Sequence, residues 1–209
     1  MAVLQKIKEN PIVAVIRKAD EENIIPIVDA LYKGGIKTIE ITAETPKVVT
    51  LIEKVADVFS DKVVIGAGTV LDPETARAVI MAGAAFIVSP TMNIETIKVS
   101  NRYGVVMVSG ALTPTEILTA YENGSDMVKI FPADVFGPSY IKSIHGPLPH
   151  IPVMVTGGIT IDNMNDYLQQ GGVAVGVGSN LVNVNTLHSE KDYQRLSEVA
   201  SKFVNKVQH

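Results

Sequence analysis

The stretch that decides the fold is Val63-Val-Ile-Gly-Ala-Gly-Thr-Val-Leu-Asp-Pro-Glu-Thr-Ala-Arg-Ala-Val-Ile-Met-Ala-Gly-Ala-Ala-Phe-Ile-Val-Ser-Pro90. It opens on a β-branched run that stops at Gly68 and closes on a second run, Phe86–Pro90. Between them, Asp72-Pro-Glu supplies a capping side chain and an acid for a first helical turn, and Ala82-Gly83 offers a glycine for the left-handed exit. Strand, helix and strand in so short a span describe a βαβ unit.

The same grammar extends in both directions. Further short apolar runs are Ile12–Arg17, Thr38–Thr42, Val105–Gly110, Met127–Pro132, Val153–Gly158 and Ala174–Ser179, which makes eight in all. Helix starts are signalled at Asp20, Asn93, Thr113 and Thr160, and exits at Gly34-Gly35, Gly104, Gly124 and Gly171-Gly172. From Glu40 onward, successive strand ends fall 20 to 28 residues apart, close to the smallest practical strand-plus-helix unit, so no second domain fits between them. Eight such units predict a closed (β/α)8 TIM barrel, a single α/β domain over residues 1–209, rather than an open sheet with edges to protect. The least regular unit is Phe136–Pro152, which reads as a short helix plus a loop.

Composition narrows the function. The chain has 209 residues, of which 46% are apolar and 19% charged, enough for one large core. A net charge of −4 provides no polycationic face for a nucleic-acid backbone. Without cysteine there are no disulfides, zinc thiolates or cysteine nucleophiles. Lys6, Lys8 and Glu9 interrupt the opening residues where a signal peptide would be apolar, and no run reaches the roughly 18 apolar residues of a membrane span. The expected protein is cytoplasmic, with neither a membrane nor a nucleic acid as partner. Four histidines, His145, His150, His188 and His209, are read as loop or terminal residues without ligand spacing, so no metal site is expected.

In a barrel the carboxyl ends of all strands share one face, and period-2 parity decides which side chains enter the lumen. Lys129 shares a face with Met127 and Phe131, opposite Val128 and Ile130, which puts a lysine inside an apolar run. Desolvation lowers a lysine pKa, and the neutral amine can attack a ketone to form a Schiff base. Glu40 points inward with Thr38 and Thr42 and could carry protons for that chemistry. Two plainer readings stand beside these: Lys129 reaching solvent past the rim, and a Glu40–Lys129 salt bridge that only balances charge.

Arg17 at the end of the first strand and Thr69 after Gly66-Ala-Gly68 could meet an anionic substrate. Thr156-Gly157-Gly158 and Gly176-Val-Gly178-Ser179 end the seventh and eighth strands, where barrels commonly cradle phosphate. Neither Gly-x-Gly is completed to a dinucleotide fingerprint, and no P-loop is present.

Taken together, these residues resemble the class I 2-keto-3-deoxy-6-phosphogluconate (KDPG) aldolase family, which includes 4-hydroxy-2-oxoglutarate (KHG) aldolases. The resemblance spans nearly the whole chain and rests on seven segments in the family's order: Ala14–Arg17, Ile39–Thr42, Gly66–Val70, Ile87–Pro90, Val128–Ala133, Thr156–Ile159 and Val175–Ser179. It implies that Lys129 forms the Schiff base, that Glu40 transfers protons, and that Thr69 and the Pro90 region surround the pyruvyl end. It also implies phosphate binding at Gly157, Gly158, Gly178 and Ser179, a homotrimer, and no metal or organic cofactor.

Two departures from the family stand out. Some members carry a carboxylate-binding arginine where this chain has Glu44, and Arg17 is the candidate replacement. The fifth strand runs Val108-Ser-Gly-Ala-Leu-Thr-Pro114, where relatives often have Pro-Gly. The expected reaction is cleavage of KDPG to pyruvate and glyceraldehyde 3-phosphate, with 4-hydroxy-2-oxoglutarate as a further substrate. Alternatives are the galactonate epimer as substrate, a phosphate-binding isomerase or synthase, and a non-catalytic sugar-phosphate sensor.

Overall fold

The computed structural model describes residues 2–207, leaving Met1, Gln208 and His209 outside the description. Eight parallel strands close into one barrel in sequence order. They are β1 (Ile12–Ile16), β2 (Thr38–Thr42), β3 (Val64–Gly68), β4 (Phe86–Val88), β5 (Val106–Gly110), β6 (Met127–Ile130), β7 (Val153–Thr156) and β8 (Ala174–Val177). Closure comes from β8 pairing back onto β1, with Val13 opposite Gly176. Several strands stop one or two residues before the sequence runs do, because the final residues of those runs have already turned into the loops above the barrel.

Helices α1 (Ala2–Glu9), α2 (Ile24–Lys33), α3 (Val48–Phe59), α4 (Pro73–Met81), α5 (Ile94–Arg102), α6 (Pro114–Glu122), α7 (Pro138–His145), α8 (Met164–Gln169) and α9 (Glu190–Val207) complete the described chain. Three of the expected starts are true caps. Asp72, Asn93 and Thr113 accept the N–H groups of Thr75, Thr96 and Glu116, and Thr113 forms a full capping box with Glu116. The other two are displaced. Asp20 and Thr160 each accept two N–H groups of a preliminary turn, after which the helices begin at Ile24 and Met164. The expected glycine exits hold, with Gly35, Gly83, Gly104, Gly124 and Gly171 all at positive φ. His145 ends α7 instead of lying in a loop. His209 falls outside the described residues.

Helix α1 is absent from the sequence expectations, which followed the recurring strand-and-helix pattern. Its Val3, Leu4 and Ile7 have helical spacing, and Ile7 is buried in the lumen cluster with Val13, Val64, Val106, Met127 and Met154. It therefore stoppers the amino-terminal mouth of the barrel. Outward-facing Ile39, Ile41, Val128, Ile130, Val153 and Val175 belong to a second, larger core beneath the helices. Among the described residues no helix is long and apolar enough to cross a membrane.

Inside the barrel, glycines make room. A Cβ on Gly66 would lie 2.5 Å from the Phe86 ring, and one on Gly68 would lie 1.7 Å from Glu40 Oε1. At Gly110 it would lie 2.1 Å from the backbone carbonyl carbon of Pro90, an atom that no rotamer change can move. Gly110→Ala is therefore expected to destabilise the fold by about 1–3 kcal/mol, the range typical of overpacking, measured as a lowered urea midpoint.

Candidate active site

Two ionisable side chains enter the same lumen. Glu40, in the middle of β2, is fully buried. Its neighbour in register, Gly66, brings no side chain, and the room beside its carboxylate is the space that Gly68 leaves. Lys129, near the end of β6, is 2% exposed, between Gly110 of β5 and Met154 of β7. Its Nζ lies 5.1 Å from the centroid of the Phe131 ring. These positions follow from parity, since Ile39, Ile41, Val128 and Ile130 turn the other way.

Lys129 and Glu40 are not in ion-pair contact, so neither plainer reading describes them: the lysine does not splay into solvent, and the acid is not locked to it. Both Glu40 oxygens lack a hydrogen-bond partner in the protein. Burial is the largest influence on each group. It raises the Glu40 pKa above the ordinary carboxylate value, offset by the attraction of Lys129 and then of Arg17. It lowers the Lys129 pKa below that of a free lysine, offset by Glu40. Desolvation thus drives both toward their neutral forms. A neutral amine is a nucleophile, and a carboxyl in the same lumen can give a proton in its acid form and take one in its carboxylate form.

Above this pair lies a cleft at the carboxyl ends of β6, β7, β8 and β1. It brings together Arg17, Gly157, Gly158, Gly178 and Ser179, five residues drawn from three distant parts of the sequence. Gly157 and Gly158 take φ values of 102° and 67°, so the chain after β7 needs glycine at both positions. The Asn163 and Asn180 side-chain amides donate to the Gly158 and Ile159 carbonyls, pairing off two dipoles that would otherwise repel an anion. Arg17 donates from Nη1 to Glu44 Oε1, so its guanidinium is already partly engaged.

Thr69 and Pro90 sit elsewhere on the same face. Neither lines this cleft. Thr69 follows β3 at φ 54°, a left-handed conformation that is rare for a β-branched residue. The backbone of Pro90 lies against Gly110, the residue in register with Lys129, so it borders the lysine side of the lumen.

Phe131 and Thr156 also line the cleft, although neither was singled out as a site residue. The parity that selects Lys129 selects Phe131 as well, and Thr156 lies on the inward face with Met154. The Thr156 hydroxyl is buried without a partner, which frees it for a ligand. Its lack of a partner is a three-dimensional property that no local sequence signal carries.

The family model described as KDPG and KHG aldolase matches residues 3–199. The chain belongs to the KDPG and KHG aldolase family. Aldolases are carbon–carbon lyases, and the chain is therefore one of these enzymes. It is 34% identical over 195 residues to the 2-dehydro-3-deoxy-6-phosphogalactonate aldolase of Escherichia coli K12, covering 93% of each chain. Identity to the 2-dehydro-3-deoxy-phosphogluconate aldolase of Pseudomonas aeruginosa is 38% over 159 residues, covering 76% of this chain and 70% of the relative. Among solved structures, the KDPG aldolase of Legionella pneumophila, described with pyruvate captured as a covalent carbinolamine, superposes with a TM-score of 0.85 at 29% identity. It covers 92% of this chain and 93% of its own.

The lowered Lys129 pKa has a consequence for stability. The unfolded chain binds this proton more tightly than the aldolase does, so a charged Lys129 destabilises the fold most below its folded pKa. The penalty fades as pH rises toward the unfolded value of 10.5. Lys129→Met is expected to raise the urea midpoint at pH 7, with the gain shrinking as pH approaches 10.5. A loss of stability at pH 7 would mean that the folded aldolase favours the lysine charged and compensated.

Proposed function

We propose that the chain is a class I, Schiff-base aldolase acting on a 2-keto-3-deoxy-6-phospho sugar acid, with KDPG as the substrate and 4-hydroxy-2-oxoglutarate as a further one. The observation that carries this reading is a lysine and a carboxyl buried together in the lumen, each pushed toward neutrality, beneath a glycine-walled cleft edged by an arginine.

In this mechanism the neutral Lys129 amine attacks the C2 ketone. Glu40 relays protons to and from the carbinolamine, which loses water to give a protonated imine. Removal of the C4 hydroxyl proton lets the C3–C4 bond break, and its electron pair moves into the imine to form an enamine. Glyceraldehyde 3-phosphate leaves. Protonation at C3 and hydrolysis then release pyruvate and the free amine. Gly157, Gly158, Gly178 and Ser179 bind the phosphate together with Arg17, which lines their cleft and not the Thr69 and Pro90 side, so that it serves the phosphate in place of the substrate carboxylate expected for it; Thr69 and Pro90 border the pyruvyl end. The buried Thr156 hydroxyl is available to a substrate hydroxyl between them. The carbinolamine in the Legionella relative's description supports covalent chemistry of this kind. A homotrimer, implied by the family resemblance, belongs to the same proposal.

A second reading changes only the epimer. The E. coli relative is named for the galactonate substrate, which favours testing both sugar acids.

Incubation with pyruvate and borohydride is expected to add one reduced pyruvyl group, mapped by digestion and mass spectrometry to Lys129, and Lys129→Met should abolish it. Trapping at another residue would remove Lys129 from the mechanism. Binding of KDPG without turnover in the parent protein would favour a sensor instead. Glu40→Gln is expected to lower kcat by about a hundredfold or more, as loss of general acid–base catalysis does, with a much smaller change in KM.

A further inference from the structure

The loops after β1 and β2 are tied to each other at several points. The Thr42 hydroxyl donates to the Ile16 carbonyl at 3.3 Å, and the Lys18 N–H donates to Thr45 Oγ1 at 3.1 Å. Lys47 pairs with Glu21, and Arg17 pairs with Glu44. Lys18 and Lys47 both take positive φ, 59° and 60°, so the two loops follow sharply defined paths. Glu44 is therefore held opposite Arg17 by its own loop. The pair itself is loose, because its side chains are 47% and 43% exposed and an ion pair so hydrated exchanges readily.

The two partners face different spaces. Arg17 lines the cleft with Gly157, Gly158, Gly178 and Ser179, whereas Glu44 lines an outer hollow with Lys18 and Pro46. An anion entering the cleft meets an arginine that already has a carboxylate on its far side. A phosphomonoester carries about −1.5 to −2 charges at pH 7, against the single charge of Glu44.

We propose that Glu44 is a positioning residue acting through Arg17: a tethered counter-anion that the substrate phosphate displaces on entry and that reclaims the guanidinium as the phosphorylated product leaves. The proposal rests on the aldolase reading for the identity of that product. Because Glu44 stays attached to its loop, its local concentration at Arg17 is high, and it limits how tightly the cleft holds phosphate. Arg17 and Glu44 also act on Lys129 and Glu40 in opposite senses, Arg17 the more strongly, so Glu44 offsets part of the field that Arg17 exerts on the lumen.

The test titrates the full-length protein with inorganic phosphate by calorimetry, beside the pyruvate–borohydride assay. Glu44→Gln, which keeps the shape and removes the charge, is expected to tighten phosphate binding by about two- to fivefold at low ionic strength, the size of an exposed ion pair. The gain should fade near 1 M salt, where the Debye length is about 3 Å. In an Arg17→Gln background the same change should give almost no gain. Phosphate affinity that is unchanged or weaker in Glu44→Gln overturns the proposal, as does a gain that persists without Arg17, which would be only the general field of a lost carboxylate. Failure of the parent protein to trap pyruvate would sink the Schiff-base reading, while the phosphate titration would still decide whether Glu44 competes for Arg17.

Discussion

The constraint on which the rest of the structure depends is closure of the sheet through β1 and β8. Once Val13 pairs beside Gly176, the sheet has no edge and only one interior, so every second residue of eight strands faces the same narrow space. Helix α1 fills the lower mouth with Ile7, and the carboxyl ends of the strands form the other mouth. Glu40 and Lys129 are confined between them, almost wholly buried. Neither can relieve its desolvation by reaching outward, and neither forms a close ion pair. Their displaced pKa values follow from the closed barrel more than from any single neighbour.

Room for these groups comes from missing side chains. Gly68 leaves the space that the Glu40 carboxylate fills, and Gly110 lets the Pro90 backbone approach the strand that borders Lys129. Higher up, Gly157 and Gly158 supply backbone conformations that other residues adopt only with strain. The same residue type thus serves two purposes at two levels: vacated volume inside the barrel and conformational freedom at its rim. The cleft and the lumen meet at Phe131, which lines the cleft and whose ring centroid lies 5.1 Å from the Lys129 amine.

Much of this was legible in the chain. The strands are β-branched runs punctuated by glycine, and three helix starts carry capping residues that bond as the pattern suggests. Parity alone put Lys129 and Glu40 in the lumen, because a one-residue error would have turned the isoleucines and valines of β2 and β6 inward instead. The turns after Asp20 and Thr160 were less legible, since the same side chains cap an isolated turn and a helix equally well. Helix α1 is weakly signalled because it is short and its burial depends on a barrel mouth that no local window contains.

By itself, the sequence determined the eightfold repeat, the polarity of every strand and the inward direction of the lysine and the acid, because these depend on local periodicity and the steric preferences of neighbouring residues. Only the tertiary structure decided that Lys129 and Glu40 stay apart, that the Thr156 hydroxyl goes without a partner, and that Glu44 turns to Arg17 across two loops. Those outcomes depend on distances between residues far apart along the chain, and such distances are fixed only when the barrel closes.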